Sequence, residues 1–469
     1  MNPRKEQIYA ALEQMKRENR AAQERLTKEA SLEDYRSLAR ADMQDDVPIT
    51  VWSDAFRKAL DENEILRIPA SKEVYYIDRP ILIPSDRRIT ADDGAVIRLK
   101  KGVSTLMFRN VHTVDGTHAP IVSDCRDRNI AIIGGRWEES LEGRRGYGRS
   151  GMYDENRSYY GVSTCMFFNN MDGLTLRNMT FAHCGGFAVQ TGDITGMDID
   201  NITFVKCYAD GLHLNGNTEN VSVTNIRGQV GDDLVALNMY DWQNSSVDFG
   251  PTKTVLCENL ELSADSGYKA LRIEPGVYYY DDGSSVDCGL YDAIIRNVRG
   301  INTFKLYYQT PAYRIVGGEP ERGGPGSGDY LFFEDITIDL NAPIDGFREY
   351  TESDPVRGAF AGFEFGANIG HLFFENIDLT LYPEKFPYSY LFCVGPKSCV
   401  TNNGAVEVFD PYVSCEVGTV ELKNIRVNGE EPDDIAPYIR AVTFEDINGD
   451  GRSSGTGVIA NVVYTKGEK

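Results

Sequence analysis

The chain has 469 residues, 41% of them hydrophobic, and a formal net charge of −23. This charge argues against general affinity for nucleic acid or for anionic membranes, and an anionic substrate would need Arg and Lys placed at its own site. No stretch is long and apolar enough to span a bilayer. Length alone suggests two or three domains, although β-solenoids of this size form single units.

The N-terminal sequence and the cysteines bear on the cellular compartment. Residues 1–6 lack the apolar core of a secretory signal peptide. Nine cysteines are scattered without metal-ligand spacing, and an odd number without an export signal favours reduced thiols and a cytoplasmic protein. Cys184 and Cys207 recur at the same position of successive repeats, which predicts stacked, buried core residues. Neither a metal nor a cofactor is expected.

Residues 1–47 are predicted to form a helical N-terminal arm. Ile8, Leu12 and Met15 make an apolar stripe, and residues 31–34 (Ser-Leu-Glu-Asp) carry a capping signature. We expect this arm to pack on the rest of the chain or on a sister subunit, so the N-terminal helices and the loops are candidate contacts of a homo-oligomer. A second short helix is expected at residues 53–60, where it would cover the open end of a solenoid.

The remainder, residues 48–469, is dominated by short strands and by a repeated unit. The unit alternates apolar residues around an Asn or Asp, and its first copies place Asn178, Asn201 and Asn225 about 23 residues apart. Later copies are spaced by about 35–48 residues because loops are inserted. An Asn at each bend can bond along its own stack and tolerates the left-handed conformation. Leucine-rich repeats share the period but need regular Leu positions and a helix per turn, which are not seen. The sequence therefore predicts an all-β, right-handed parallel β-helix with long loops on one side.

Two acidic patterns open consecutive repeats, at residues 209–214 (Ala-Asp-Gly-Leu-His-Leu) and 231–238 (Gly-Asp-Asp-Leu-Val-Ala-Leu-Asn). If the repeats stack, Asp210 and Asp233 become neighbours at about 4.8 Å, with Asp232 beside them. Adjacent Asp residues face outward together only where the chain bends, which the leading glycine permits. Close like charges raise the pKa of one carboxyl and leave a protonated acid beside an ionised base. That pair is what hydrolysis of a glycosidic bond requires.

These patterns resemble the Asn-Thr-Asp-Gly and Gly-Asp-Asp motifs of glycoside hydrolase family 28, the polygalacturonases and related pectin hydrolases. Residues 80–99 and 130–137 look like the family's early coils, and the resemblance covers about residues 50–300. It implies that Asp232 is the general acid, that Asp210 and Asp233 orient and deprotonate the attacking water, and that the anomeric carbon is inverted. Carboxylates about 5 Å apart would by themselves suggest retention, so the stereochemistry stays open.

The basic motifs of that family are altered. Its Gly-His-Gly motif is absent, with the nearest candidate ending at Lys269, and its carboxylate-binding Arg-Ile-Lys motif reads Arg-Ile-Glu from Arg272. Lys269 and Arg272 are candidates to replace both motifs, and Lys305, one repeat further on, is a candidate for the missing cation. His213 either faces the cleft or is a buried structural imidazole. The predicted substrate-binding residues are Arg272, Lys269, His213, Lys305, Tyr268 and Asn238.

The leading hypothesis is a cytoplasmic glycoside hydrolase that acts by acid–base catalysis on pectic or related plant oligosaccharides. Loops downstream of the acidic cluster are expected to close the cleft and favour attack at a chain end. Their aromatic residues, such as Tyr278 to Tyr280, either stack on sugar rings or pack the loops onto the solenoid. A lyase or epimerase on uronates and a non-catalytic carbohydrate-binding β-helix remain as alternatives.

Overall fold

The computed structural model describes residues 2–114, 123–140, 153–154, 157–158, 164–241, 246–266, 269–280, 282–300, 304–307, 315–316, 319–320, 324–341, 360–395, 399–402, 405–408, 414–441 and 456–467. Across these ranges, neither α-helix combines the length and the apolar character that crossing a lipid bilayer requires. The first elements are helix α1 (Pro3–Glu24), strand β1 (Glu29–Ser31), a 3₁₀ helix (Leu32–Leu38), β2 (Arg40–Gln44), β3 (Val47–Val51) and α2 (Ser53–Glu62).

Thirty further strands follow in the described ranges, together with a second 3₁₀ helix (Ala436–Tyr438). They are β4 (Ile65–Ile68), β5 (Tyr75–Ile77), β6 (Ile81–Ile83), β7 (Arg87–Leu99), β8 (Phe108–Asn110), β9 (Asp127–Glu138), β10 (Tyr153–Asp154), β11 (Arg157–Ser158), β12 (Thr164–Ala182), β13 (Phe187–Val205), β14 (Leu212–Asn215), β15 (Thr218–Gly228), β16 (Val235–Asn238), β17 (Thr252–Leu262), β18 (Leu271–Glu274), β19 (Gly276–Tyr279), β20 (Ser285–Cys288), β21 (Leu290–Arg299), β22 (Phe304–Tyr307), β23 (Ile315–Val316), β24 (Glu319–Pro320), β25 (Ser327–Asp339), β26 (Phe360–Gly366), β27 (Asn368–Thr380), β28 (Ser389–Val394), β29 (Cys399–Asn402), β30 (Ala405–Val408), β31 (Cys415–Val427), β32 (Ile439–Ala441) and β33 (Gly457–Thr465).

The strands stack in parallel, coil upon coil, as the repeat predicts. One series of parallel pairs runs β9, β12, β13, β15, β17, β21, β25, β27, β31 and β33, and another runs β14, β16, β18, β22, β26, β28 and β32. Twenty-five of the described strands belong to one continuous sheet. Inward side chains of successive coils make one long apolar core. The fold is a parallel β-helix, and that prediction is confirmed.

The repeat's Asn forms the predicted ladder along one corner. Asn201, Asn225 and Asn259 have φ of 56–58°, in the left-handed region that Asn tolerates. Asn201 donates to Asn178 Oδ1 at 2.8 Å, and Asn259 donates to Asn225 Oδ1 at 2.9 Å. Steps along the ladder lengthen from 23 residues to 34, 38, 41 and 48, which matches the inserted loops. Within the described part of these loops, short antiparallel hairpins form, such as β19 with β20 and β29 with β30.

Helix α1 lies along the outside of the solenoid. Its apolar stripe of Ile8, Leu12 and Met15 is buried against outward residues of β17, β21 and β25. Gln23 near its end donates to Asn129 Oδ1 at 2.6 Å on β9, while Lys5 near its start pairs with Glu334 on β25. Twenty-two residues extend about 33 Å, and the seven strands from β9 to β25 span about 29 Å. The helix therefore braces seven consecutive coils.

The prediction of a helical arm over residues 1–47 is wrong beyond Glu24, where strands and a 3₁₀ helix follow. The capping signature is present, since Ser31 and Asp34 form a capping box, but it starts only the 3₁₀ helix. β1 pairs in parallel with β4, and β2 and β3 form an antiparallel hairpin. The turn residues Asp45 and Asp46 both have positive φ, 49° and 61°, which suits a tight hairpin turn. The domain boundary at residue 47 stays a prediction.

The second predicted helix is confirmed as α2, which packs against the first coils. Trp52 and Phe56 are fully buried there, and the Phe56 ring meets Phe108 edge to face at 5.6 Å. Cys184 and Cys207 are buried free thiols in the core, as predicted. Burial raises the pKa of both thiols well above the ordinary value, so these sulfurs are inert core atoms.

Candidate active site

The predicted functional residues lie on one outer surface of the solenoid, formed by β14, β16, β18, β22 and β26 and called here the site face. Leu, Val, Ile and Phe point inward along these strands, and polar residues alternate with them. The register places His213, Ala236, Arg272, Lys305 and Glu364 in one outward row. A second row contains Asn215, Asn238 and Glu274.

The site face is covered, so its polar side chains are buried. His213, Asn238, Glu274 and Lys305 are each 3% exposed or less. Val247, which follows β16 in the chain, lies over the strands, and its N–H donates to Asn215 Oδ1 at 3.2 Å. Charges held at this depth are costly unless they are paired. The arrangement therefore has to be an interlocked set of ion pairs and hydrogen bonds.

Asp210, Asp232 and Asp233 converge at the edge of the site face, in the bends that precede β14 and β16. One carboxylate oxygen from each lies within 4.8 Å of the others. The Asp233 N–H donates to Asp210 Oδ1 at 3.1 Å, which locks the two coils together at this point. Asp210 and Asp233 are 4% and 1% exposed, while Asp232 is half-buried. Asp232 is thus the member of the triad that faces solvent.

Two glycines make this convergence sterically feasible. A Cβ on Gly231 would meet the Tyr208 carbonyl oxygen at 2.4 Å, and one on Gly211 would meet the Leu234 carbonyl oxygen at 2.6 Å. Neighbouring coils approach too closely at both bends for any side chain. The sequence expectation that Gly231 permits a bend beside the paired acids agrees with this geometry.

His213 is clamped between two carboxylates. Its Nδ1 lies 2.6 Å from Asp210 Oδ2 and its Nε2 lies 3.1 Å from Asp241 Oδ2. The ring also stacks on Phe187 with centroids 3.8 Å apart. Burial lowers the pKa of His213, but the two carboxylates outweigh it and raise that pKa to about 9. His213 is therefore an imidazolium at neutral pH, and both ring nitrogens donate. Of the two readings from sequence, the buried imidazole is the one observed, although it contacts the triad directly.

Asp233 is the carboxyl of the triad that favours its protonated form. Burial is the largest cause of its raised pKa, followed by the negative charges of Asp232 and Asp210. Arg272 and Lys269 act in the opposite direction but do not reverse the shift. The environment thus favours the protonated form of one carboxyl of the triad, and the division of acid and base roles among the three stays a prediction.

The predicted basic residues also converge on the site face. Arg272 Nη1 lies 3.9 Å from Asp233 Oδ2, and Arg272 Nη2 lies 2.9 Å from Glu274 Oε2. Lys269 is 2% exposed, directly before β18. Lys305 is buried opposite Glu364 on the next strand. Tyr268 lies outside the described residues.

Asn238 holds a neighbouring acid in place, since its Nδ2 donates to Asp241 Oδ2 at 3.1 Å. Asp241 itself was not among the predicted site residues, and neither was Glu364. Asp241 follows β16 in a loop, where sequence alone does not show that it returns to His213. Glu364 could have been found, because it occupies the same outward repeat position as Lys305 and Arg272.

The three carboxylates of the triad are close enough to hold a cation as well as a proton. Oxygen ligands of this kind suit Mg²⁺ or Ca²⁺. The expectation that no metal is needed stays a prediction.

The loop aromatics divide between the two roles considered from sequence. The Tyr278 ring lies 5.2 Å from that of Phe249 and 5.1 Å from that of Tyr280, and it packs against the core. Tyr279 is 39% exposed. Packing accounts for Tyr278, and Tyr279 is the most exposed of the three.

Comparisons with known proteins add a fold likeness. No protein-family model matches the chain, and no curated protein matches it by sequence. Among solved structures, a hyperthermoactive exopolygalacturonase from Thermotoga maritima is similar with a TM-score of 0.48 and 12% identity over 96% of each chain. A family 28 exopolygalacturonase from Yersinia enterocolitica has a TM-score of 0.48 and 9% identity over 94% of this chain and 79% of its own. The adhesin PfbA of Streptococcus pneumoniae has a TM-score of 0.37 and 12% identity over 93% and 97%. Glycoside hydrolases and an adhesin are thus both among the neighbours, and the site has to be judged on its own geometry.

Proposed function

We propose that the protein is a glycoside hydrolase that cleaves short oligosaccharides with the triad Asp210, Asp232 and Asp233. The observation that carries this proposal is the meeting of three carboxylate oxygens within 4.8 Å, with one buried carboxyl that favours its proton and one that is only half-buried. The resemblance of the two acidic motifs to those of glycoside hydrolase family 28 supports the same assignment.

In the proposed reaction, Asp232 and Asp233 share one proton, and the half-buried Asp232 delivers it to the glycosidic oxygen. The bond between that oxygen and the anomeric carbon breaks as a water molecule attacks the carbon. Asp210 takes a proton from this water and is the general base, held in orientation by the His213 imidazolium at 2.6 Å. These roles differ from the family pattern, in which Asp233 would help to deprotonate the attacking water. In the proposed reaction Asp233 instead shares with Asp232 the proton that goes to the leaving group. After product release, proton exchange with solvent restores the starting state.

The stereochemical outcome can be measured directly. The family pattern implies inversion, whereas triad oxygens within 4.8 Å are closer than the roughly 6.5–9.5 Å usual for inverting pairs. Direct attack by water, as in the proposed reaction, inverts the anomeric carbon, so proton NMR should detect the inverted anomer first, and a retained anomer would refute this reaction scheme. The proposal also includes attack at a chain end and a substrate of pectic or related plant origin. Attack at a chain end is tested by following the length of the products over time.

The deciding experiment is incubation with a panel of pectic and other plant oligosaccharides, with products identified by mass. Wild type should release hydrolysed sugars, and Asp232→Asn should lower kcat by about 10²–10⁴-fold because it cannot donate the proton. Asp265→Asn, at an exposed turn, is the matched control and should retain activity. Full activity in Asp232→Asn would refute the assignment.

The same panel separates the two alternatives. A product that gains mass from water excludes a lyase, which would instead yield an unsaturated sugar absorbing in the ultraviolet. Binding without any change of mass would identify a non-catalytic carbohydrate-binding β-helix.

A further inference from the structure

Arg272 and His213, two of the cations of the site face, lie beside acidic groups of the chain itself. Arg272 Nη2 lies 2.9 Å from Glu274 Oε2, and Asp233 approaches the other end of the guanidinium at 3.9 Å. Lys305 is opposite Glu364 in the strand register, and both are buried. His213 is held between two carboxylates in the same way. The positive charges of Arg272 and His213 are therefore already compensated within the protein.

The balance of charge on the site face is negative. Its cations are His213, Lys269, Arg272 and Lys305. The acids around them are Asp210, Asp232, Asp241, Glu274 and Glu364, together with Asp233, which favours its protonated form. A sugar carboxylate brought into this buried region would lose its hydration and meet more negative than positive charge.

Glu274 is the residue that determines this balance beside the triad. It is completely buried and stands two residues after Arg272 on the same outward face of β18, so its charge is directed at the guanidinium rather than at solvent. An uncharged or basic residue there would leave Arg272 with a positive charge to offer a ligand. With Glu274 in place, the guanidinium can still donate hydrogen bonds to sugar hydroxyls.

We propose that Glu274, acting through Arg272, makes the site selective for a neutral sugar unit, one that carries an uncharged hydroxymethyl or methyl group at C5 in place of a carboxylate. This inference rests on the proposed function, because the sugar concerned is the one bound at the triad. Glu274 is a specificity-determining positioning residue and does not itself react.

The test uses pairs of oligosaccharides that differ only in a carboxylate or a hydroxymethyl group at C5. Galacturonate and galactose, glucuronate and glucose, and mannuronate and mannose provide three pairs. Cleavage is measured with wild type, and binding is measured by calorimetry with Asp232→Asn. We expect kcat/KM for the neutral member of a cleaved pair to be at least about tenfold higher, as the loss of one charged interaction implies.

Glu274→Gln should shift the uronate-to-neutral ratio of kcat/KM toward the uronate by about 10- to 100-fold, because Arg272 then keeps an uncompensated charge. Glu258→Gln is the matched control. It removes the carboxylate of another Glu–Arg pair, Glu258 with Arg296 at 3.5 Å on a different strand series, and should leave the ratio unchanged. An unchanged ratio in Glu274→Gln overturns the role of Glu274.

The outcomes with wild type are separable. Equal or faster cleavage of the uronate member overturns this inference and leaves the hydrolase function standing. Tighter binding of the neutral member without cleavage overturns the proposed function and upholds the neutral preference. Tighter binding of the uronate without cleavage overturns both.

Discussion

The buried imidazolium of His213 makes a quantitative prediction about stability and pH. Its pKa rises from the ordinary 6.5 to about 9 in the folded protein, which corresponds to about 3 kcal/mol of folding free energy. Because the folded pKa lies above the unfolded one, this contribution is complete below about pH 6.5, declines as the pH rises and is lost above about pH 9. The protein should therefore become less stable across that window.

The expected size of the effect follows from the length of the chain. At about 2.1 cal/mol/K per residue, unfolding all 469 residues together has an entropy of about 1 kcal/mol/K, so about 3 kcal/mol shifts Tm by about 3 °C. The shift is larger if the coils around the site unfold as a separate unit, as solenoid repeats can. The measurement is Tm by scanning calorimetry at one scan rate, at pH values from 6 to 10.

His213→Gln should remove this pH dependence, because glutamine does not titrate in the range. Its Tm should also be lower at pH 6, since Asp210 and Asp241 are then buried without their shared cation, which costs about 3–5 kcal/mol. His371→Gln is the control, because His371 pairs with Asp329 at 2.8 Å on the surface with a 40% exposed side chain. Parallel Tm curves for wild type and His213→Gln between pH 6 and 10 would refute the reasoning.

Three further predictions concern the helix, the ladder and the triad. Leu12→Ala in α1 truncates a side chain that is 1% exposed and should lower the free energy of unfolding by about 2–5 kcal/mol. The variant should show a lower Tm and retain activity. Asn259→Ala loses the bond to Asn225 and keeps φ at 58°. Asn259→Ala should lower the free energy of unfolding by about 1–2 kcal/mol more than Asn259→Gly, because glycine adopts this positive φ without strain. Urea unfolding of both variants measures the difference. Treatment with EDTA should leave the hydrolysis rate unchanged if the triad works with a proton, and a loss restored by Mg²⁺ or Ca²⁺ would show that it holds a cation.

The coil architecture was predictable because each repeat carries its own signal. Alternating apolar residues fix which side faces the core, and the Asn at the corner fixes where the chain bends, as at Asn201 and Asn225. The proximity of Asp210 and Asp233 follows from stacking these units, since equivalent positions of adjacent coils are one strand spacing apart. The acidic cluster could therefore be located from spacing alone.

Other features depended on contacts that sequence spacing does not encode. The return of Asp241 to His213 is made by a loop, and the length of a loop does not specify where it folds. The hairpin at residues 40–51 was missed because charged residues there suggested helix, while the paired positive φ of Asp45 and Asp46 selects a turn. Tertiary pairing of β1 with β4 then limits the capped segment to a short 3₁₀ helix.

The basic residues of the site face need not be read as evidence for an anionic substrate. Three carboxylates cannot be held within 4.8 Å in a region this buried unless positive charge lies close by. His213 serves Asp210 in this way, and Arg272 and Lys269 lower the pKa of Asp233 toward its ordinary range. The cations are thus required by the triad itself, whatever sugar is bound. Among chains with this acidic cluster, selectivity for neutral or acidic sugars should therefore depend on whether each cation is paired with a carboxylate of the protein. In this chain Glu274 is that carboxylate for Arg272.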